Sequence, residues 1–230
     1  MNERRLGVLF SSGKDSAYAA HLMRREGYEL ACLITVKSRN PYSYMFHTPG
    51  IDLVPLQAES MNLPLLEVES EGVKEAELDD LERVIEEAVE RHRISGVVTG
   101  AIASLYQESR IERVCSKLGL QAFSPLWQKD QEEVMRSLIR DGFVFILTSV
   151  AAEGLDASWL GRQITERDVE RLVELRRSHG INVAGEGGEF ESLVLNSPLF
   201  TREIEIKRFE IEEIDEDTAR ITILDARLKR

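Results

Sequence analysis

Five short, nearly continuous apolar runs recur through the first half of the chain, each separated from the next by a helical pattern. They are GVLF (7–10), LACLITV (30–36), PLLEVES (64–70), GVVTGA (96–101) and QAFSPLW (121–127). A strand that is apolar on both faces must be covered on both, and regular alternation with helices supplies the cover. The pattern predicts an open parallel sheet with helices on each side. The clearest helix is 74–92, KEAELDDLERVIEEAVERH, where Leu78, Leu81, Val84, Ile85, Ala88 and Val89 form one stripe. Its acidic opposite face reads as solvated surface rather than a metal site. In such sheets ligands gather beyond the carboxyl ends of the strands. The residues following the runs are therefore candidates: Ser11 to Ser16, Thr35 to Ser38, Ser70 to Gly72, Thr99 to Ser104, and Ser124 to Gln128.

The first of these turns is the most telling. Leu6, Val8, Leu9 and Phe10 lead into Ser11-Ser12-Gly13-Lys14-Asp15-Ser16, and Ala17, Ala20, His21 and Met23 follow at helical spacing. The first N–H groups of a helix have no internal partner, and the helix dipole adds positive character there. Small residues admit an anion close to the backbone and Lys14 adds a full charge, so the turn reads as a phosphate cradle. It is not a Walker A loop: five residues, not four, separate Gly7 from Gly13, and Asp15 follows Lys14. Nor is it the dinucleotide fingerprint. It resembles the PP-loop, SGGxDS, of the ATP pyrophosphatases, with Ser12 where the first glycine usually sits. That resemblance implies a loop that holds the β,γ-pyrophosphate while a nucleophile attacks the α-phosphorus. The alternative is an ordinary strand–helix turn capped by Ser or Asp.

Composition narrows the class. At 230 residues, 43% hydrophobic and 30% charged, the chain has the make-up of an ordinary globular protein with room for a large core. A net charge of -12 argues against a broad nucleic-acid surface. Cys32 and Cys115 belong to no CxxC, so they are expected in a core rather than in a zinc or redox site. The apolar run at the N-terminus is too short for a signal peptide, and no stretch reaches the roughly 20 apolar residues of a membrane span. A cytoplasmic protein without membrane contact is the expectation.

Residues 39–61 hold an irregular part and then a helix, with Tyr42, Tyr44, Met45, Phe46 and His47 concentrated in the irregular part. Aromatics near a ligand edge form a lid or a packed patch, and His47 is a candidate substrate contact. Beyond Trp127 the rhythm changes. A helix (130–141) leads to the strand-like FVFILTSV (143–150), then EGLDASWLGRQ (153–163), and a helix over 165–179. Thr165 with Asp168 resembles a capping box, and Gly180 fits the position after the last turn. Alternation through Ile204, Ile206, Phe209 and Ile211, the turn IDEDT (214–218) and ARITILDARL predict an antiparallel tail. These changes divide the chain into 1–127 and 128–230.

The second unusual block is Gly185-Glu186-Gly187-Gly188-Glu189-Phe190-Glu191-Ser192. Three glycines and three glutamates in eight residues do not suit a helix, where each Gly costs about 1 kcal/mol relative to Ala. Glycines permit positive φ and close approach to a ligand, and the carboxylates suit Mg²⁺, another cation, or a base. A Gly-rich hairpin with solvated glutamates is the plain alternative.

SSGKDS, TGAIASLYQESRIERVCSKLGL (99–120), SPLW (124–127), LDASWLGR (155–162) and GEGGEFESLVLNSPLF (185–200) occur in this order. Together they resemble the diphthine–ammonia ligase family, which completes diphthamide on elongation factor 2. The likeness spans nearly the whole chain. Glu108-Ser109 within YQESR, and Ser192 where Thr is common, are the departures. The resemblance implies an α/β fold: a five-stranded parallel nucleotide-binding domain of the HUP/PP-loop ATPase type with helices on both faces, plus a smaller α+β substrate-recognition domain. It implies ATP and Mg²⁺, an acyl-adenylate of the diphthine carboxylate, and release of AMP and pyrophosphate. With no glutaminase-like segment in the sequence, ammonium is the expected nitrogen donor. Diphthine-bearing elongation factor 2 is the protein partner, no direct nucleic-acid binding is expected, and homo-oligomer formation is left open.

Site roles follow from the same resemblance. Ser11, Ser12, Gly13, Lys14, Asp15 and Ser16 hold pyrophosphate, Thr35 and Val36 line the adenine, and Gly100, Ala101 and Ser104 face ribose and phosphates. Lys14, Asp15, Glu186 and Glu189 form the catalytic set, with Asp15 and Glu186 toward metal. His47, Tyr106, Trp127, Arg162, Gly187, Gly188, Phe190 and Glu191 make the substrate side, where Tyr106, Trp127, Trp159 and Phe190 offer cation–π faces to a quaternary ammonium. Arg110 and Arg162 are phosphate or carboxylate contacts, or structural ion pairs. Two rivals share the first motif. A tRNA-modifying enzyme wants paired cysteines or a basic surface, and a non-catalytic nucleotide sensor has little need of clustered glutamates.

Overall fold

The computed structural model describes residues 4–40, 50–73 and 76–229. His47 and the aromatics around it lie outside the described residues.

Among the described residues, seventeen elements follow one another along the chain. β1 (Arg5–Leu9), α1 (Lys14–Arg25), β2 (Glu29–Ser38), a 3₁₀ turn (Ile51–Leu53), α2 (Val54–Met61) and β3 (Leu65–Ser70) come first. α3 (Ala76–His92), β4 (Gly96–Val98), α4 (Leu105–Lys117), β5 (Gln121–Phe123) and α5 (Gln131–Arg140) follow. Then come β6 (Val144–Ala151), a 3₁₀ turn (Ala157–Trp159), α6 (Glu166–His179), β7 (Phe190–Asn196), β8 (Ile204–Glu213) and β9 (Thr218–Leu228).

The first five strands form a wholly parallel sheet in the order β3-β2-β1-β4-β5. The chain winds outward from β1 to β3 and then returns to the other side of β1. The strand order therefore reverses between β1 and β4, which is where an open α/β sheet leaves a crevice at its carboxyl edge. Period-two alternation splits β2 between two cores: Cys32, Ile34 and Val36 face α3 and α4, while Leu33 faces α1 and α2. The last four strands form an antiparallel sheet in the order β7-β6-β9-β8. The expected capping box is present, with Thr165 N donating to Asp168 Oδ2 at 2.8 Å, and Gly180 ends α6 at a φ of 76°.

One apolar core continues from the parallel sheet through α1 and α2 into the antiparallel sheet. Most of α1 is buried, including Ala17, Ala19, Ala20, Tyr18 and Met23, as a helix packed on two sides must be. Its alanines allow close approach, and Tyr18 meets Phe143 edge to face with ring centres 5.4 Å apart. Two differences from the sequence reading concern extent. β4 and β5 are three residues each, because Thr99–Ala101 and Ser124–Trp127 leave the sheet. Residues 190–196, to which the sequence reading gave no element, form β7; Leu193 and Val194 are buried there, and the strand pairs with β6.

Candidate active site

The cradle occupies the crevice between β1 and β4. Ser11 N donates to Ser16 Oγ at 3.2 Å, the two hydroxyl oxygens lie 3.3 Å apart, and Ser16 Oγ reaches Gly13 O at 3.2 Å. Ser12 is left-handed, with φ of 70°, a conformation that costs an L-residue about 1–2 kcal/mol and a glycine little. Here is the physical reason for the glycine in the motif that this turn resembles. Ser12 O accepts from Val194 N (3.1 Å) and from Gln57 Nε2 (3.0 Å), and Gln57 Nε2 also donates to Val194 O (2.8 Å). The strained peptide is thus held from β7. Gly100 brings the turn after β4 against the start of α1: a Cβ there would lie 2.6 Å from Ser16 N.

Lys14 links the two blocks singled out in the sequence. Its buried ammonium donates to Asp15 Oδ2 at 2.6 Å and to Ala184 O at 2.7 Å, and lies 5.5 Å from the centre of the Phe190 ring. Its backbone N–H donates to Ser192 Oγ at 3.2 Å, so this first-turn donor is engaged across the cleft. Asp15 Oδ1 is buried with no hydrogen-bond partner among the described residues.

The glycine-rich loop sorts its glutamates by environment. Glu189 closes the loop on itself: Oε1 accepts from Asn182 N (2.8 Å) and Nδ2 (2.7 Å), and Oε2 from Gly187 N (2.8 Å). Gly187 must be glycine for this clasp, because a Cβ would meet Glu189 Oε1 at 2.7 Å, and Gly185 and Gly188 take φ of 77° and 87°. Glu186 and Glu191 are half-buried and face the cleft. Glu186 Oε2 accepts from Ala103 N at 3.2 Å, while burial and then the nearby Asp15 charge raise its pKa. Burial pushes Glu191 up to about 7, against Lys14, with Asp15 and Glu186 adding to the rise.

Together these groups enclose a cleft of about 410 Å³, within the usual size range of small-ligand sites. Lys14, Asp15, Glu186 and Glu191 line one part of it, and Leu9, Ile34, Val36, Ile51 and Ile111 give it an apolar wall. Among the described residues no three His, Cys, Asp or Glu side chains converge to hold a metal ion.

Of the expected site residues, the cleft gathers Ser11, Lys14, Asp15 and Ser16 from the cradle and Val36 from β2. It gathers Gly100, Ala101 and Ser104 from the β4 turn, and Glu186, Gly188, Phe190 and Glu191 from the second block. Thr35 points the other way, donating its hydroxyl to Phe10 O at 2.9 Å, and Ile34 takes its place beside Val36. Glu189, expected in the catalytic set, is the loop's clasp, and Gly187 serves that clasp. Ser12 and Gly13 shape the turn without lining the cleft. Arg162 stands apart on a structural pair with Asp168 (2.8 Å) and lies over the fully buried Trp159. Tyr106 packs under Arg110, 3.4 Å from its ring centre, and Trp127 is half-buried; neither lines the cleft. Thr99 falls among the strand-end candidates of the sequence, whereas sequence reasoning gave Gln107, Ile111 and Ser192 no place here. The i, i+3 and i+7 spacing from Ser104 marks Gln107 and Ile111 once α4 is placed.

A solved structure described as a predicted subunit of a tRNA methyltransferase from Methanocaldococcus jannaschii superposes with a TM-score of 0.43 at 18% identity. It covers 84% of this chain and 97% of that one, too loosely to bear on fold or function. Sequence similarity is far stronger. The mouse protein named diphthine–ammonia ligase is 36% identical over 219 residues, covering 87% of this chain and 82% of its own. The human protein of that name is 33% identical over 226 residues, covering 90% and 84%. Family models for the diphthamide synthase N-terminal and C-terminal domains match residues 4–122 and 130–225, one after the other. With both models matched in order and these relatives aligned over most of their length, the chain belongs to the diphthamide synthase family.

Proposed function

We propose that this cleft joins ammonia to the diphthine carboxylate of elongation factor 2, with ATP converted to AMP and pyrophosphate. The chain is a ligase by family, and its relatives are named for this ligation. The observation that carries the reading is the meeting of cradle and glutamate loop in one cleft, where Lys14 bonds to Asp15 at 2.6 Å and to Ala184 O at 2.7 Å. A carboxylate is a poor acyl donor, so an acyl-adenylate must precede attack by ammonia. Lys14 and the hydroxyls of Ser11 and Ser16 stabilise the charge that develops on pyrophosphate. Ile34, Val36 and Ile111 offer the adenine an apolar face. Ammonium must lose a proton before it attacks, and Glu191, titrating near about 7, is suited to accept it.

The donor set fits Mg²⁺. Asp15 Oδ1 is a buried oxygen lacking a partner among the described residues, and Glu186 stands near enough to raise the electrostatic demand for a cation. The lack of a protein cage among the described residues suits an ion that keeps waters and takes phosphate oxygens as ligands. When bound, Mg²⁺ would neutralise polyphosphate charge. No helix among the described residues is long and apolar enough to cross a membrane. The proposed partner is a translation factor, so the reaction belongs in the cytoplasm.

Incubation with ATP, ammonium and diphthine-bearing elongation factor 2 is expected to yield AMP, pyrophosphate and diphthamide. Appearance of ADP would sink the adenylation step, and pyrophosphate release that depends on tRNA would redirect the substrate. Lys14→Ala and Glu186→Ala should each slow turnover by at least about tenfold, the usual loss on removing one charge-stabilising group. Undiminished rates would remove both from the chemistry.

A further inference from the structure

Ser104, Gln107 and Ile111 share the inward face of α4, three and then four residues apart. Ser104 is the N-cap, its hydroxyl accepting from Gln107 N at 3.3 Å. Ile111 is buried with Ile34 and Val36 in the apolar wall. Gln107 lies between them on the helix. Its half-buried side chain lines the cleft, and its carboxamide has no hydrogen-bond partner among the described residues. The charged groups of the cleft stand elsewhere, on α1 and on the loop and strand that carry Glu186 and Glu191.

A carboxamide presents an acceptor and a donor side by side in one plane. Adenine presents the complement, an exocyclic amine beside a ring nitrogen, and Gln or Asn pairs with such an edge through two hydrogen bonds. An apolar wall binds the faces of any base; a polar group on its border supplies the contact to the edge. We propose that Gln107 reads the edge of the nucleobase, holding the base of ATP against the Ile34–Val36–Ile111 wall. The inference rests on the ATP reading above and adds the residue that recognises the base.

The test is calorimetric titration of the full chain, wild type, Gln107→Leu and Gln107→Glu, with ATP, GTP and inorganic tripolyphosphate. Tripolyphosphate probes the cradle without a base. Gln107→Leu should weaken ATP by about tenfold, two neutral hydrogen bonds being lost, and leave tripolyphosphate within about twofold. Gln107→Glu is isosteric and accepts only; it loses the bond to the adenine ring nitrogen and suits the two adjacent donors of guanine. Its preference for ATP over GTP should therefore fall by about tenfold. Equal weakening of ATP and tripolyphosphate by Gln107→Leu would overturn the proposal, as would unchanged ATP affinity or an unchanged ATP-to-GTP ratio in Gln107→Glu. If wild type binds tripolyphosphate and ATP while the variants match it, only this inference falls. If wild type binds neither, the ATP reading falls with it.

Discussion

Two glutamates separated only by Phe190, Glu189 and Glu191, show how environment decides what a carboxylate does. Glu189 accepts three hydrogen bonds from Asn182 and Gly187, so its charge is matched within the loop. Burial dominates at Glu191, with Asp15 and Glu186 adding repulsion and Lys14 only partly opposing them. A pKa raised from 4.5 to about 7 means that the folded chain keeps a proton which the unfolded chain has released. Below about 4.5 both states are protonated and the residue does not affect stability. As pH rises from there to about 7, stability falls; above that the penalty is constant. Glu191→Gln removes the ionisation, so it should raise the melting temperature at pH 8 and leave it unchanged at pH 4. Each kcal/mol relieved is worth about 2–4 °C for a chain of this size. An equal gain at both pH values would show that the carboxylate is not the cause. Sequence composition does not separate the two glutamates, because the distinction lies in Asn182, which curls back onto Glu189, and in the burial of Glu191 beside Asp15, which is distant in sequence.

At the scale of elements, the cradle turn was largely legible: an apolar strand, small residues, then a helix start with Lys14 and Asp15. Its strain was not. Ser12 occupies a left-handed φ of 70° and its hydroxyl is buried with no partner among the described residues. Ser12→Gly relieves both penalties and loses only the entropy that glycine adds to the unfolded chain. It should stabilise the protein by about 1 kcal/mol in urea titration. A loss of stability would mean that the Ser12 hydroxyl makes a favourable contact. Strand period was legible in β2, but choosing between its faces needs the position of α4; hence Val36 lines the cleft and its neighbour Thr35 does not. The glycine-rich block hid the start of β7, since Phe190–Asn196 gains its strand partners only by pairing with β6. Arg162 and Trp159 had the right chemistry for substrate recognition, yet they are occupied on the far element α6 and in the core.

For the whole molecule, the consequence is that the site exists only when both sheets are docked. Lys14 N and Ser192 Oγ, Gln57 and Val194, and Tyr18 and Phe143 all cross between the halves, and one core cluster spans them. The switch from parallel to antiparallel strands was visible in the sequence, but this shared core was not. Helix α1 looks like a one-sided cover until the second sheet is placed on its other side. A fragment of residues 1–127 would expose Tyr18 and the faces of α1 and α2 that meet the antiparallel sheet. Each large apolar side chain left uncovered forfeits about 1.5–3 kcal/mol, and three or four such losses match the 5–15 kcal/mol total stability of an ordinary domain. The fragment should therefore show no cooperative thermal transition and fast amide exchange in α1, whereas the full chain should melt in one step with α1 among its slowest-exchanging segments. A fragment that melts sharply near the temperature of the full chain would show that the parallel sheet carries its own stability. The cradle would then be preformed, with the glutamate loop added to it rather than folded with it.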